Sequence, residues 1–159
     1  MKYDIKRLLS NIDSEVLIDT KYSFSKEELK GTDIISLDDV EITGKITKDT
    51  LNNINISLNI NGVMILPCSI TLVPVSYPFD INVDGNVEEM LEEIGIFDKK
   101  IENSLDILPI IWENILMEIP SKVVSPDAHD IKLSGDGWKL ITEDEKSENP
   151  ELAKLKDLL

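Results

Sequence analysis

The segment Leu66-Pro67-Cys68-Ser69-Ile70-Thr71-Leu72 is where this chain comes nearest to a chemical motif. It lies between two strand-like runs, the setting of a strand–Cys-x-x-Cys–strand knuckle. Such a knuckle binds zinc through paired thiolates or closes a disulfide. Here Thr71 stands at the second cysteine position, and Cys68 is the chain's single cysteine. It has no thiol partner in the chain for either chemistry. No His, Lys or Arg stands within ten residues of it to lower its pKa. Cys68 therefore reads as a structural cysteine of a turn, not as a nucleophile.

Other reactive residue types are scattered. The one histidine, His129, sits in Asp127-Ala128-His129-Asp130. These types can ligate a metal, but a single His among loop carboxylates reads as solvated. No supporting motif joins His129 to Cys68, so a Cys–His nucleophile pair is not indicated. Glu88, Glu89, Glu92 and Glu93 offer paired carboxylates, the requirement for general acid–base work. Four neighbouring acids without apolar walls read instead as an exposed face. The sequence has no phosphate-binding glycine loop, no zinc signature and no basic–aromatic stripe. These readings favour an interaction protein, with no enzyme activity, no cofactor and no metal.

Charge narrows the partners. The net charge is −15 over 159 residues. Residues 1–30 are balanced, with Lys2, Lys6, Arg7, Lys21, Lys26 and Lys30 against Asp4, Asp13, Glu15, Asp19, Glu27 and Glu28. Residues 80–118 carry eleven acidic side chains against Lys99 and Lys100, a net of −9. Nucleic-acid affinity comes largely from neutralising phosphates with Lys and Arg, so a polyanion would be repelled. A basic partner is the better electrostatic match. Lys2, Lys6, Arg7 and Lys21 leave a route for direct RNA contact through the neutral N-terminal segment. No apolar run approaches the roughly 20 residues that span a bilayer, and the N-terminus lacks the apolar stretch of a signal peptide. One cysteine fits a reducing compartment, and the expected location is cytoplasmic.

The elements that must position these residues follow from periodicity. Ile5, Leu8 and Leu9 share a face of a short N-terminal helix over Tyr3–Leu9, and 15–19 reads as a strand. Ser25 and Glu28 form a capping box for one helical turn stopped by Gly31. Val40, Ile42 and Ile46 alternate, with Gly44 as a bulge or a close approach. Ile54, Ile56, Leu58 and Ile60 alternate with Asn55, Ser57 and Asn59 as a half-buried strand. Asn61-Gly62 predicts a hairpin turn into a return strand. Residues 72–83 form a long strand in which Pro74 and Pro78 require an edge position or irregularity. An acidic helical turn or two over 88–95 ends at Gly95. A long helix starts near Ser104 or Asp106, carries Pro109 in its first turn, and ends at Pro120. Its buried stripe is Leu108, Ile111, Trp112, Ile115 and Ile119. Residues 121–134 read as an extended loop, and Gly135-Asp136-Gly137 as a turn before Trp138. Trp138 packs the tail or anchors a partner. Residues 142–149 form a polar acidic linker. Asn149 and Pro150 start a terminal helix over 150–159 with Leu152, Leu155 and Leu159 on one face. The expected organisation is one domain over 1–141, the linker, and that helix. The expected class is α+β, with an antiparallel sheet or partly closed barrel.

Several landmarks in order resemble the YceD family of bacteria and plastids. They are Val40-Glu41-Ile42-Thr43-Gly44-Lys45-Ile46, Cys68-Ser69-Ile70-Thr71-Leu72 and the acidic segment. Leu105 through Pro120, Gly135-Asp136-Gly137-Trp138 and Asn149-Pro150-Glu151-Leu152 complete the series. The likeness runs from about residue 38 to the end. It implies a β-rich core followed by a helix ending in Pro. It also implies a non-catalytic role in accumulation of 23S ribosomal RNA and in assembly of the large ribosomal subunit. Joined to the acidic surface, that role points to a precursor particle of that subunit or a basic ribosomal protein as the partner. The family knuckle is Cys-x-Arg-Cys-Leu. Cys68 and Leu72 match it, whereas Ile70 and Thr71 replace the Arg and the second Cys. Many members carry another Cys after the Pro that ends the helix, where this chain has Ser121-Lys122-Val123-Val124-Ser125-Pro126. A metal bound by such a site would be lost here. The partner-facing residues expected are Glu88, Glu89, Glu92, Glu93 and Trp138. Two other readings stand beside this one: an acidic adaptor unrelated to ribosomes, and a small metal-dependent hydrolase gathering His129 with carboxylates.

Overall fold

In the computed structural model, residues 1–96, 103–130, 134–135 and 138–139 are described. They fall into two compact units, Met1–Ser125 and Pro126–Leu159.

The first unit is built on one antiparallel four-stranded sheet. Its strands are β2 (Glu15–Tyr22), β3 (Ser36–Lys48), β4 (Ile54–Pro67) and β5 (Pro74–Asn86), in the order β2-β3-β4-β5. Alternation decides which face is buried. Val40, Ile42 and Ile46 of β3, Ile54 through Ile60 at even positions of β4, and Phe79 and Val83 of β5 point inward. Asn55, Ser57 and Asn59 of β4 point outward, opposite Asn86, Asp84 and Asn82 of β5. On the outer face the Asn59 amide donates to Asp80 (2.6 Å) and to Asn82 (3.1 Å). The side-chain period of two thus separates an isoleucine-rich layer from a polar one.

The sheet is open. Among the described residues β2 and β5 are its edges, so of the two expected forms the antiparallel sheet is seen and the partly closed barrel is not. Helices cover the apolar face instead. They are α1 (Lys6–Leu9), α2 (Val87–Glu93) and α3 (Leu108–Glu118). A small second sheet pairs β1 (Lys2–Asp4) with β6 (Ser104–Asp106). The helix expected from Ser104 or Asp106 therefore begins only at Leu108, and its predecessor is a strand. With eleven residues α3 makes three turns and is not long. Pro109 sits in its first turn, where no N–H is missed. Its fully buried residues are Ile110, Ile111 and Ile115. Leu108, Trp112 and Ile119 are half-buried against the core.

The turns around β4 differ from local expectation. Asn61-Gly62 does not turn: β4 runs through it, pairing Asn61 with Asp80 and Gly62 with Phe79. A Cβ at Gly62 would stand 3.1 Å from the Phe79 ring and 3.5 Å from Val40 Cα. On its other side β3 bulges between Asp38 and Glu41, with Asp39 at φ 52°. Glycine is there for close approach, not for reversal. The reversal from β3 to β4 lies at Asp49–Asn53, where the Asp49 carboxylate accepts N–H bonds from Leu51 and Asn53. Ser25 and Glu28 make the expected capping box. The Ser25 N–H and hydroxyl donate to Glu28 Oε2 at 2.8 and 2.9 Å, and the Leu29 N–H donates to Ser25 O at 3.2 Å, closing the single helical turn expected before Gly31.

Gly44 meets its expectation of close approach. It lies mid-strand at φ 151°, between Ile18 and Leu58, and a Cβ there would overlap the Ser57 carbonyl oxygen. The proline-bearing β5 is an edge strand, as its missing N–H donors require.

The second unit contains a 3-10 turn, Pro126–Asp130, where an extended loop was expected. It also holds a short antiparallel pair, β7 (Ser134–Gly135) with β8 (Trp138–Lys139). The linker at 142–149 and the terminal helix at 150–159 lie outside the described residues.

Candidate functional site

The knuckle is the β4–β5 connection. The Cys68 N–H donates to Val73 O (2.8 Å) and the Leu72 N–H to Cys68 O (2.9 Å). Leu72 adopts a left-handed φ of 62° and is 75% exposed, while Cys68 is fully buried. The chain that follows α3 folds back onto this turn. The Ser69 N–H donates to Val123 O (2.7 Å), and the Val123 N–H donates to Ser69 Oγ (3.2 Å). The Ser125 N–H donates to Cys68 Sγ at 3.3 Å. Residues 68–72 and 121–125, separated by the whole of β5, α2 and α3, thus form one cluster.

This packing corrects the electrostatic reading of Cys68. Its thiol is lowered from the ordinary value of 9.0 to about 6. The Ser125 N–H is the first cause, followed by the Thr71 hydroxyl. Burial opposes the shift, and the N–H groups of Thr71 and Ile70 add to the lowering. No cation is involved, so a search for flanking Lys, Arg or His could not find it. Thr71 at the second cysteine position keeps the turn in place by two polar contacts. Its hydroxyl faces the Cys68 sulfur and accepts from the Val73 N–H at 3.4 Å. Ile70 is half-buried and offers the knuckle only its N–H.

The four glutamates share one short helix. Asn86 caps α2, its side-chain oxygen accepting from Glu88 N (2.8 Å) and Glu89 N (3.2 Å). Val87 and Leu91 are buried beneath, and Glu88, Glu89, Glu92 and Glu93 are all exposed. The sequence spacing that puts the apolar pair four apart forces the acids onto the outward face. Trp138 lies in the second unit, its backbone paired with Gly135. His129 lies on the 3-10 turn of that unit. Among the described residues no three His, Cys, Asp or Glu side chains converge as a metal cage.

Two of the N-terminal basic groups are already engaged. Arg7 donates to both oxygens of Asp13 at 2.8 and 3.1 Å, and Lys21 pairs with Glu41 at 2.7 Å. These pairs dilute the cationic patch that direct RNA contact would use.

One feature escaped the sequence. Phe24, Leu108, Pro109 and Trp112, with Glu28 and Asp106, line a cleft of about 330 Å³. Phe24 and Trp112 stack at 5.0 Å between ring centroids with a 33° tilt, and Tyr22 meets Phe24 edge-on at 4.7 Å. Glu28 is held ionised by the Ser25 N–H, then by the Tyr22 and Ser25 hydroxyls, which keep its carboxyl below the usual range. Phe24 belongs to no periodic stripe, and Trp112 read as core. The only local signal was the Ser25–Glu28 capping box beside Phe24.

Among the described residues no helix is long and apolar enough to cross a membrane. Comparison with known proteins supports the resemblance carried by the landmarks. Residues 56–159 match the family model of the large ribosomal RNA subunit accumulation protein YceD. The chain is 32% identical over 136 residues to the uncharacterized protein YlbN of Bacillus subtilis (strain 168), covering 80% of this chain and 78% of that one. No solved structure matches it. The matched region contains the knuckle, the acidic helix and α3, and the chain belongs to the YceD family.

Proposed function

We propose that this protein is a non-catalytic cytoplasmic factor for accumulation of 23S ribosomal RNA and assembly of the large ribosomal subunit. It acts through its acidic surface on a basic ribosomal protein or on a protein–RNA precursor particle. The family description supplies the ribosomal role. The observation that supports the mode of action is the outward face of α2, where Glu88, Glu89, Glu92 and Glu93 are exposed side by side on a chain of net charge −15. Such a face attracts lysine- and arginine-rich surfaces and repels bare RNA. RNA is then reached through a protein intermediary.

The test is sucrose-gradient fractionation of lysate at low and raised salt, with wild type and with Glu89, Glu92 and Glu93 reversed to Lys. Co-migration of wild type with large-subunit precursors, removed by salt and by the reversal, is the expected result. A triple variant that still co-migrates overturns the acidic-face mode. Wild type found only at the top of the gradient at both salts counts against the ribosomal reading.

A further inference from the structure

The cleft of the first unit sets carboxylates against an aromatic stack. Phe24 and Trp112 belong to the packed layer between the Tyr22–Glu28 segment and α3. At the rim of that layer the exposed Glu28, which closes the Ser25 capping box, and the half-buried Asp106, which accepts from the first N–H of α3, share a wall with two aromatic rings, Leu108 and Pro109. An aromatic face beside an anion is the environment that receives a cation with an apolar stem. The stem packs along aliphatic and proline surface, the cationic head lies over a ring face, and the carboxylate takes its N–H donors. Phosphate or a fatty chain would meet repulsion or a desolvation cost at the same carboxylates.

We infer that this cleft, between the Phe24–Trp112 stack and the Glu28 and Asp106 carboxylates, receives an arginine side chain presented by a basic protein partner. Arginine fits better than lysine because a planar guanidinium both stacks on an aromatic ring and pairs with a carboxylate in its own plane. A cleft of about 330 Å³ is at the small end of ligand sites, the scale of one side chain with its flanking backbone. Glu28 is pre-positioned for this role. Its Oε1 accepts from the Tyr22 hydroxyl at 2.8 Å, and its Oε2 from the Ser25 N–H and hydroxyl at 2.8 and 2.9 Å. The carboxylate need not reorganise on binding. Asp106 is likewise fixed, accepting from the Met1 ammonium (3.2 Å) and the Leu108 N–H (3.1 Å). Asp106 is paired with the Met1 ammonium, so the charge that selects a cationic occupant is that of Glu28, bonded by the neutral Tyr22 and Ser25 groups. The site deepens the basic-partner reading and rests on it only for the partner being a protein.

The full chain is titrated with an Arg-Arg-Arg peptide, an isosteric tri-citrulline peptide and a Lys-Lys-Lys peptide, with backbone and indole N–H signals followed by NMR. Expected are saturable shifts at the Trp112 indole and around Glu28, at least tenfold weaker binding of the citrulline peptide, and intermediate binding of the lysine peptide. Glu28→Gln preserves the shape of the capping box and is expected to weaken the arginine peptide about tenfold. Asp106→Asn serves as the second variant if the first fails to fold. Shifts confined to Glu88–Glu93, or equal affinity of arginine and citrulline peptides, overturn the cleft while leaving the acidic-helix reading intact. Arginine binding at Trp112 in a protein that never meets ribosomal precursors upholds the cleft and removes the ribosomal partner.

Discussion

The backbone N–H of Ser125 points at the sulfur of Cys68 from 3.3 Å, across more than fifty residues of chain. This contact joins the β4–β5 turn to the segment that follows α3. Here neither Thr71 nor residues 121–126 supply a second thiol. N–H and hydroxyl donors converge on the Cys68 sulfur. With the Ser69–Val123 pair, the Ser125 contact ties residues 68–72 to residues 121–125.

That arrangement predicts a titration. The folded thiol ionises at about 6, against an ordinary value of 9.0. Between those two values the unfolded chain holds the proton more tightly, so stability rises with pH across the window. The gain is complete above about 9 and is lost as pH falls through about 6. Urea midpoints of wild type and Cys68→Ala, compared at pH 6 and pH 9, should show a gap that widens toward the alkaline end. Thiolate absorbance should titrate near 6 in wild type and shift upward in Thr71→Val. A gap that is flat with pH would count against an ionised sulfur.

The two strand glycines should differ in cost. A methyl group at Gly62 presses on the Phe79 ring, which can tilt, so Gly62→Ala should cost about 1–2 kcal/mol. At Gly44 the obstacle is the Ser57 carbonyl, which cannot move without breaking the β3–β4 ladder, and φ is 151°. Gly44→Ala should cost roughly 3 kcal/mol or more. Chemical unfolding of both variants checks the order, and equal losses would contradict it.

These glycines also show where sequence reading stops. The alternation of Ile54 to Ile60 against Asn55 to Asn59 made β4 legible, because a period of two is a property of the strand alone. Asn61-Gly62 misled because its local turn preference was overridden by partners distant in the chain, the Phe79 ring and the bulged β3. Ile110 was missed for a related reason. The expected stripe places Ile111 and Ile115 correctly, but the buried face of α3 is wider by one position, because tertiary packing covers Ile110 as well. The acids of α2 were readable as an exposed face, since Val87 and Leu91 fix the helix orientation. The Phe24–Trp112 cleft was not readable, because no local period links a residue of the β2–β3 connection to one on α3.

Asn86 holds the α2 platform. Its side chain satisfies two N–H groups at the start of a helix only seven residues long. Asn86→Ala should lower stability by about 1 kcal/mol, while Asn86→Asp should restore it, since an aspartate accepts the same bonds at the positive helix end. Thermal or urea unfolding of the pair is the check. An alanine variant as stable as wild type would mean that Val87 and Leu91 alone position the helix.

The helix dipole separates the role of the acidic face from its stability. Glu88 and Glu89 lie in the first turn, where negative charge is favourable, so reversing them should destabilise α2. Glu92 and Glu93 lie in the last turn, where negative charge is unfavourable. Reversing those two to Lys should leave stability unchanged or raise it by about 0.5–1 kcal/mol, because each change relieves an adverse dipole interaction. The same substitutions shift the charge of the acidic segment 80–118 by four units. If this face meets a basic ribosomal partner, Glu92→Lys with Glu93→Lys should abolish low-salt co-sedimentation without lowering the urea midpoint. Loss of binding in a protein at least as stable as wild type can then be assigned to the surface itself. Retained co-sedimentation would place the contact elsewhere on the acidic chain.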